Sequence, residues 1–266
     1  MNSRYLGAII LAPLLIFLLV GGLWLKGLLI ALSLIGLYEF YKVCRQVDLV
    51  PVSIIGYILC IIYYSVLDTD FNLQLIMYII IAAFIVTFIL VVVDEKYNFI
   101  GIAVTIFGFL YVPVFFGFIY QISIKEHGNF LVWLVFISSW VCDTSAYYVG
   151  KYFGRNKLCP RVSPKKTVEG SLGGLFGSVI GCLVFGMISN HYGVVIPLYH
   201  YIVIGVICGV LSQLGDLSAS SIKRYAGVKD YSNLIPGHGG ILDRFDSILF
   251  AAVAVFYYLT FIVNIK

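Results

Sequence analysis

The chain has 266 residues, of which 61% are hydrophobic and only 11% charged, with a formal net charge of +4 and a mean hydropathy of +1.02. A soluble domain carries about 25% charged and about half apolar residues, so a water-soluble globular fold is excluded. The apolar surplus must face lipid. The long unbroken apolar runs suit helices, not the roughly ten-residue alternating segments of an outer-membrane barrel.

At the start of the chain, Arg4 precedes an apolar run from Leu6 to Val20 with no small-residue cleavage site behind it. It reads as a retained first span and not as a secretory leader. A span takes about 20 apolar residues. On that measure spans are expected over 5–22, 24–41, 51–67, 73–93, 99–121, 130–150, 171–189, 197–217 and 246–264. Gly21-Gly22 and Lys26 form the only break between the first two, which leaves eight spans as the alternative to nine. The expected fold is thus an all-α polytopic membrane protein of about nine transmembrane helices. It has an N-terminal transmembrane region, 1–128, and a C-terminal catalytic transmembrane region, 129–266. Cys60, Cys142, Cys182 and Cys208 sit inside apolar runs, and with Cys44 and Cys159 they form no CxxC pair. Helix packing is their expected role, with no disulfide framework or zinc site.

Lysines and arginines in short loops favour the cytoplasmic side. With nine spans, 14 of the 17 fall on one side, among them Lys42, Arg45, Lys96 and the basic residues of the polar loops after spans six and eight. The other side holds only Lys26, Lys125 and Lys266. Both polar loops are therefore expected in the cytoplasm. With no soluble domain, low-complexity tract or clear repeat, any catalysis must use loops and helix ends at the membrane surface.

Two polar blocks interrupt the apolar background, Asp143 to Gly174 and Ser212 to Asp246. Asp143 lies inside an apolar helix, where an unpartnered carboxylate costs about 2.5 to 3.5 kcal/mol. A helix–helix hydrogen bond could explain it, but a functional polar cavity is the favoured reading. Asp216 has the same character, four residues after Ser212 and seven before Lys223, so the three share a helical face. Asp243 and Asp246 share a face if their segment opens the last helix, where simple N-capping is the competing role. Carboxylate oxygens are the ligands magnesium prefers, usually with substrate phosphates. Lysines, arginines and glycine turns such as 169–174 and 236–240 bind phosphate oxygens. The combination reads as phosphoryl or nucleotidyl transfer with a divalent metal. No GxxxxGK[ST] occurs, so the chain is not a P-loop enzyme. His238 is as readily a turn residue as a phosphate or metal-orienting group, and an ionised phosphate nucleophile needs no general base.

The run Ser221-Ile222-Lys223-Arg224, Lys229-Asp230 and Pro236 to Asp246, which contains His238-Gly239-Gly240 and Asp243-Arg244-Phe245-Asp246, resembles the signature of the phosphatidate cytidylyltransferase family, also called CDP-diacylglycerol synthases. The upstream block resembles the family through Asp143, Ala146-Tyr147, Gly150, Phe153-Gly154, Ser163 to Thr167 and Glu169-Gly170. The N-terminal five spans match in hydropathy alone. The resemblance implies that CTP and phosphatidic acid yield CDP-diacylglycerol and pyrophosphate in phospholipid biosynthesis. The lipid phosphate would attack the α-phosphorus in line, with Mg2+ in a centre of one or two cations. It also implies that Asp216 and Asp243 hold the metal. Lys223, Arg224, Lys229, Arg244, Lys165 and Lys166 would neutralise phosphates, with Thr167, Ser221, His238, Gly239 and Gly240 as further substrate contacts. Asp143, Glu169, Asp230 and Asp246 would contact metal, ribose or base, or orient the cations. The implied partners are CTP, phosphatidic acid and the bilayer, with no nucleic acid, and a homodimer is compatible with this reading. The expected location is a bacterial inner membrane with the site facing the cytoplasm. A transferase using CTP on a polyprenyl or ether lipid is the alternative. An ion-coupled transporter is less favoured, because the charges crowd at one face and no inverted repeat is visible.

Overall fold

A computed structural model of the protein describes residues 15–67 and 73–266. The expected span at 5–22 therefore lies mostly outside the described residues. Residues 15–20 are helical, and the break that follows falls at Gly21 and Gly22, both with positive φ (67° and 55°). Lys26 is no part of that break. It lies inside α1 (Gly22–Arg45), nearly buried, with its ammonium over the Tyr120 ring.

After α1 come α2 (Ser53–Val66), α3 (Leu73–Val93), α4 (Phe99–Ser123) and α5 (Gly128–Phe153). A short antiparallel hairpin follows, β1 (Lys157–Cys159) with β2 (Ser163–Thr167), and then α6 (Val168–His191), α7 (Leu198–Tyr225) and α8 (Leu242–Phe261). The protein is an all-α polytopic membrane protein apart from this hairpin. Among the described residues, six helices are long and apolar enough to cross a membrane: α1, α4, α5, α6, α7 and α8. With 14 residues, α2 is about 21 Å long, short of a hydrocarbon core of about 30 Å. The 28 residues of α7 reach about 42 Å. They carry its last turns, with Ser221, Lys223 and Arg224, beyond the apolar stretch expected at 197–217.

The chain folds as two compact units, residues 1–120 with 225–244, and residues 121–224 with 245–266. In the first, α1 and α4 pack around buried aromatic side chains. The Tyr41 hydroxyl donates to the Thr105 carbonyl (3.0 Å), and Ser33 shares a hydrogen bond with Tyr64 (2.9 Å). Asn98 caps α4 by accepting from Gly101 N–H (2.8 Å). Pro113, which lacks an N–H, sits in a π-helical turn at Leu110–Val114, and its carbonyl accepts from the Tyr64 hydroxyl (3.4 Å).

In the second unit, α5 and α6 approach closely because α6 offers Gly170, Gly174, Gly177 and Gly181 along one face. A methyl group at Gly174 would lie 3.0 Å from the Cys142 carbonyl, and one at Gly177 would collide with the Ser145 hydroxyl. Ser139 and Ser212 hydrogen-bond across α5 and α7 (3.1 Å), and Gly215 of α7 leaves room for the Asp246 carbonyl and Phe250 of α8. In the turn between α4 and α5, Lys125 donates to the Ile265 carbonyl (2.9 Å), and burial draws its pKa below the ordinary lysine value.

Candidate active site

Each unit holds one cluster of the residues singled out in the sequence. In the second unit, α5, the hairpin, α6 and α7 enclose a chamber of about 340 Å3. Asp143, Ala146, Tyr147 and Gly150 line it from α5, at the three-, four- and seven-residue offsets that share a helical face. Lys165, Lys166 and Thr167 enter from β2, and Gln213 and Asp216 from α7. The centre of this arrangement is an ion pair: Lys166 Nζ lies 2.6 Å from Asp216 Oδ2, both side chains partly exposed. The other oxygen, Oδ1, accepts from the Ser220 hydroxyl (3.2 Å), one turn further along α7. Gln213 Nε2 donates to the Ser171 carbonyl (3.1 Å), joining α7 to the first turns of α6. Asp246 of α8 is within electrostatic reach of Asp216, Lys223 and Asp143, and Lys223 is nearly buried.

Local chemistry sets the hairpin and the start of α6. Thr167 is the N-cap, its hydroxyl accepting from Gly170 N–H (3.1 Å). Glu169 suits the positive end of the α6 dipole. Its carboxylate is not part of the chamber wall. It accepts from the backbone N–H of Arg155 (3.0 Å) and Asn156 (3.2 Å) and from Asn156 Nδ2 (2.8 Å), so it staples the turn after α5. Arg224 is exposed, and its Nε donates to the Val162 carbonyl (3.4 Å), tying the end of α7 to the β1–β2 turn. Ser221 is exposed outside the chamber.

The second cluster lies in the first unit, where the loop after α7 packs against α1 at Glu39. Asp243 Oδ2 accepts from Tyr231 N–H (2.8 Å) and Gly240 N–H (2.9 Å), and the residue is 7% exposed. Ile235 N–H donates to the Gly239 carbonyl (2.8 Å), closing a tight turn in which Gly237 and Gly239 have φ of 76° and 82°. Those angles favour glycine. His238 sits in this turn with Nδ1 3.4 Å from the Pro236 carbonyl, and Lys229, Asp230 and Arg244 are exposed. Asp243 does not cap its own helix in the simple way: it turns back onto the N–H groups of the loop that precedes it.

Glu39 is the residue that sequence reasoning passed over. It is 1% exposed, and its Oε1 accepts from the Ser232 hydroxyl (2.6 Å) and Ile241 N–H (3.0 Å) while Oε2 accepts from Leu242 N–H (2.9 Å). The signal was present, since Glu39 is the one acid within a long apolar helix, the same anomaly that marked Asp143. Beside it, Leu34, Tyr38, Lys42, Tyr57 and Leu234 line a largely apolar cavity of about 640 Å3. Gln213, Lys151 and Ser171 also line the first chamber; they lie within the two polar blocks, where nothing in the sequence separates them from their neighbours.

Magnesium asks for hard oxygen donors and usually binds one or two carboxylates together with substrate phosphates. Among the described residues, no group of three or more His, Cys, Asp or Glu is gathered to hold an ion unaided. Asp143 and Asp216 on one chamber, with Lys166 already drawn to Asp216, fit a centre completed by phosphate oxygens.

Comparison with known proteins gives a consistent result. A model of the cytidylyltransferase family matches residues 2–262. A phosphatidate cytidylyltransferase of Staphylococcus haemolyticus is 35% identical over 257 residues, covering 94% of this chain and 95% of its own. That of Bacillus subtilis is 30% identical over 267 residues, 97% of each chain. That of Haemophilus influenzae is 47% identical over a shorter stretch of 138 residues, 52% of this chain.

Proposed function

The chain belongs to the cytidylyltransferase family, and on that premise we propose that it transfers the cytidylyl group of CTP to phosphatidic acid. The products are CDP-diacylglycerol and pyrophosphate. The observation that carries this reading is the chamber in which Lys166 meets Asp216 beside Asp143 and Lys165. Cations and carboxylates set together at a membrane surface suit a reaction between two phosphate-bearing substrates.

An unesterified oxygen of the lipid phosphate attacks the α-phosphorus of CTP. A new P–O bond forms as the bond to the oxygen bridging to the β-phosphorus breaks, and pyrophosphate leaves. The nucleophile is already ionised, so no side chain need act as its base. Catalysis is then positioning and charge neutralisation. Asp216 would hold magnesium beside Asp143, and the family resemblance gives Asp243 a metal-holding role as well. One or two ions, when bound, would neutralise the triphosphate oxygens. Lys165, Lys166, Lys223, Arg224, Lys229 and Arg244 receive the remaining phosphate charge. Asp143, Asp230 and Asp246 orient these cations or contact nucleotide, and the glycine turn at Gly239 and Gly240 brings backbone to the substrate. Glu169 serves through the turn it staples.

In this reading the chain lies in a bacterial inner membrane, with both polar loops on the cytoplasmic side, where soluble CTP meets the headgroup of a lipid whose tails stay in the bilayer. The test uses purified protein with cytidine-labelled CTP, magnesium and phosphatidic acid, followed by lipid extraction. Label should enter the lipid phase only when phosphatidic acid is present. Label transferred to a polyprenyl phosphate and not to phosphatidic acid would assign a different lipid.

A further inference from the structure

The first turn of α8 has an unusual cap. A helix leaves its first N–H groups without intrahelical partners. Here Glu39, a residue 202 and 203 positions away, takes those of Ile241 and Leu242, while Asp243 takes the Gly240 N–H just before them. The two glycines that precede α8 each make room for one of these acids. A methyl group on Gly239 would lie 2.8 Å from Asp243 Oδ2, and one on Gly240 would collide with Glu39 Oε1. Ser232 adds the third hydrogen bond to Glu39 and anchors the middle of the loop.

We infer that Glu39 is a positioning residue for the signature loop: by holding Ile241, Leu242 and Ser232 it sets the backbone from which Asp243 presents its carboxylate. The inference rests on the reaction proposed above. With Glu39 occupying the N–H groups of Ile241 and Leu242, the Asp243 side chain is turned onto Gly240 and Tyr231 N–H. A buried carboxylate spanning a hydroxyl and two successive backbone N–H groups does more than fill space. It fixes three points of one loop to α1. Residues supporting a metal ligand in this manner alter affinity or activity by about 10- to 100-fold when changed.

The test is Glu39→Gln in the full chain in detergent. The amide keeps the shape, and its oxygen can still face Ser232 and Ile241, but its NH2 group opposes Leu242 N–H. The expected result is a folded protein whose kcat falls about 10- to 100-fold, with the KM for CTP changed far less. Mn2+ titrated in the presence of a non-reacting CTP analogue should bind correspondingly more weakly, and the amides of residues 240–242 should exchange faster. Ser232→Ala removes one of the three hydrogen bonds and should shift Mn2+ affinity and exchange in the same direction, by less. A folded Glu39→Gln protein with unchanged kcat and Mn2+ affinity overturns the inference. If that variant does not fold, unchanged Mn2+ affinity and exchange in Ser232→Ala overturn it instead. Wild-type protein that labels no lipid would sink the reaction, whereas normal wild-type turnover with indifferent variants sinks only the role of Glu39.

Discussion

Lys166 Nζ and Asp216 Oδ2 are 2.6 Å apart, the one on a short hairpin and the other on the long helix α7. Both side chains are partly exposed, at 26% and 30%, so the pair stands at the wall of an open chamber and not in a sealed core. An ion pair so placed is worth little as a structural prop. It is well suited to exchange partners, with the lysine passing to a phosphate and the carboxylate to a cation.

Replacing Asp216 with Asn removes the charge and keeps the size. Turnover should fall about 100-fold or more, corresponding to the several kcal/mol a metal–phosphate interaction contributes to the transition state. Membrane insertion and thermal unfolding in detergent should change little. Asp243→Asn should behave likewise, because an amide oxygen can still accept from Tyr231 and Gly240 N–H. Near-normal activity in either variant would refute the metal assignment.

Lys166→Met tests the other half of the pair. Loss of a charge-assisted hydrogen bond to phosphate costs about 1.5 to 3 kcal/mol. The KM for CTP should rise about tenfold or more, with the protein still folded. A rise in the KM for phosphatidic acid alone would assign Lys166 to the lipid phosphate.

The glycine face of α6 makes a stability prediction. Gly177→Val places bulk against Ser145 and Val141 of α5, and overpacking of this kind costs about 1–3 kcal/mol. The melting temperature in detergent should fall, and activity should fall with it, because α5 and α6 form two walls of the chamber.

Thr167→Ala removes the α6 cap and should cost about 1 kcal/mol. Restoration of stability by Thr167→Ser would attribute the loss to the hydroxyl hydrogen bond, and failure of serine to restore it would point to the lost methyl packing.

Orientation can be read with single cysteines in a background lacking the native six. Cysteines at Lys229 and Arg161, both exposed, should react with an impermeant maleimide only from the cytoplasmic face. Reaction from the opposite face would invert the proposed topology.

Several features were legible in the sequence because they are local. Hydropathy alone marks the apolar runs, and each of the six long helices shares most of its residues with an expected span, since burial in lipid and helix formation follow from the same residues. The sequence placed the last span at 246–264 and left Asp243 at its opening as a condition; the helix starts at Leu242 and meets it. The resemblance of the Ser212 to Asp246 stretch to a nucleotidyltransferase signature was readable for the same reason, its chemistry being concentrated in one short run. Helix ends were less legible: α7 continues past its apolar stretch to Tyr225 because its last turns are polar yet helix-forming.

What tertiary structure alone decided is which of these groups face one another. Composition could not tell that Lys166 would find Asp216 or that Glu169 would be spent on the Asn156 turn. Nor could it tell that Glu39, from the first half of the chain, would cap the helix opened by Asp243. Periodicity reports which side of a helix is apolar, whereas a hydrogen bond between residues some 200 positions apart depends on how helices pack. The amino-acid sequence by itself determined a membrane enzyme and its class of chemistry; the fold decided which carboxylates line the chamber and which hold backbone N–H groups in place.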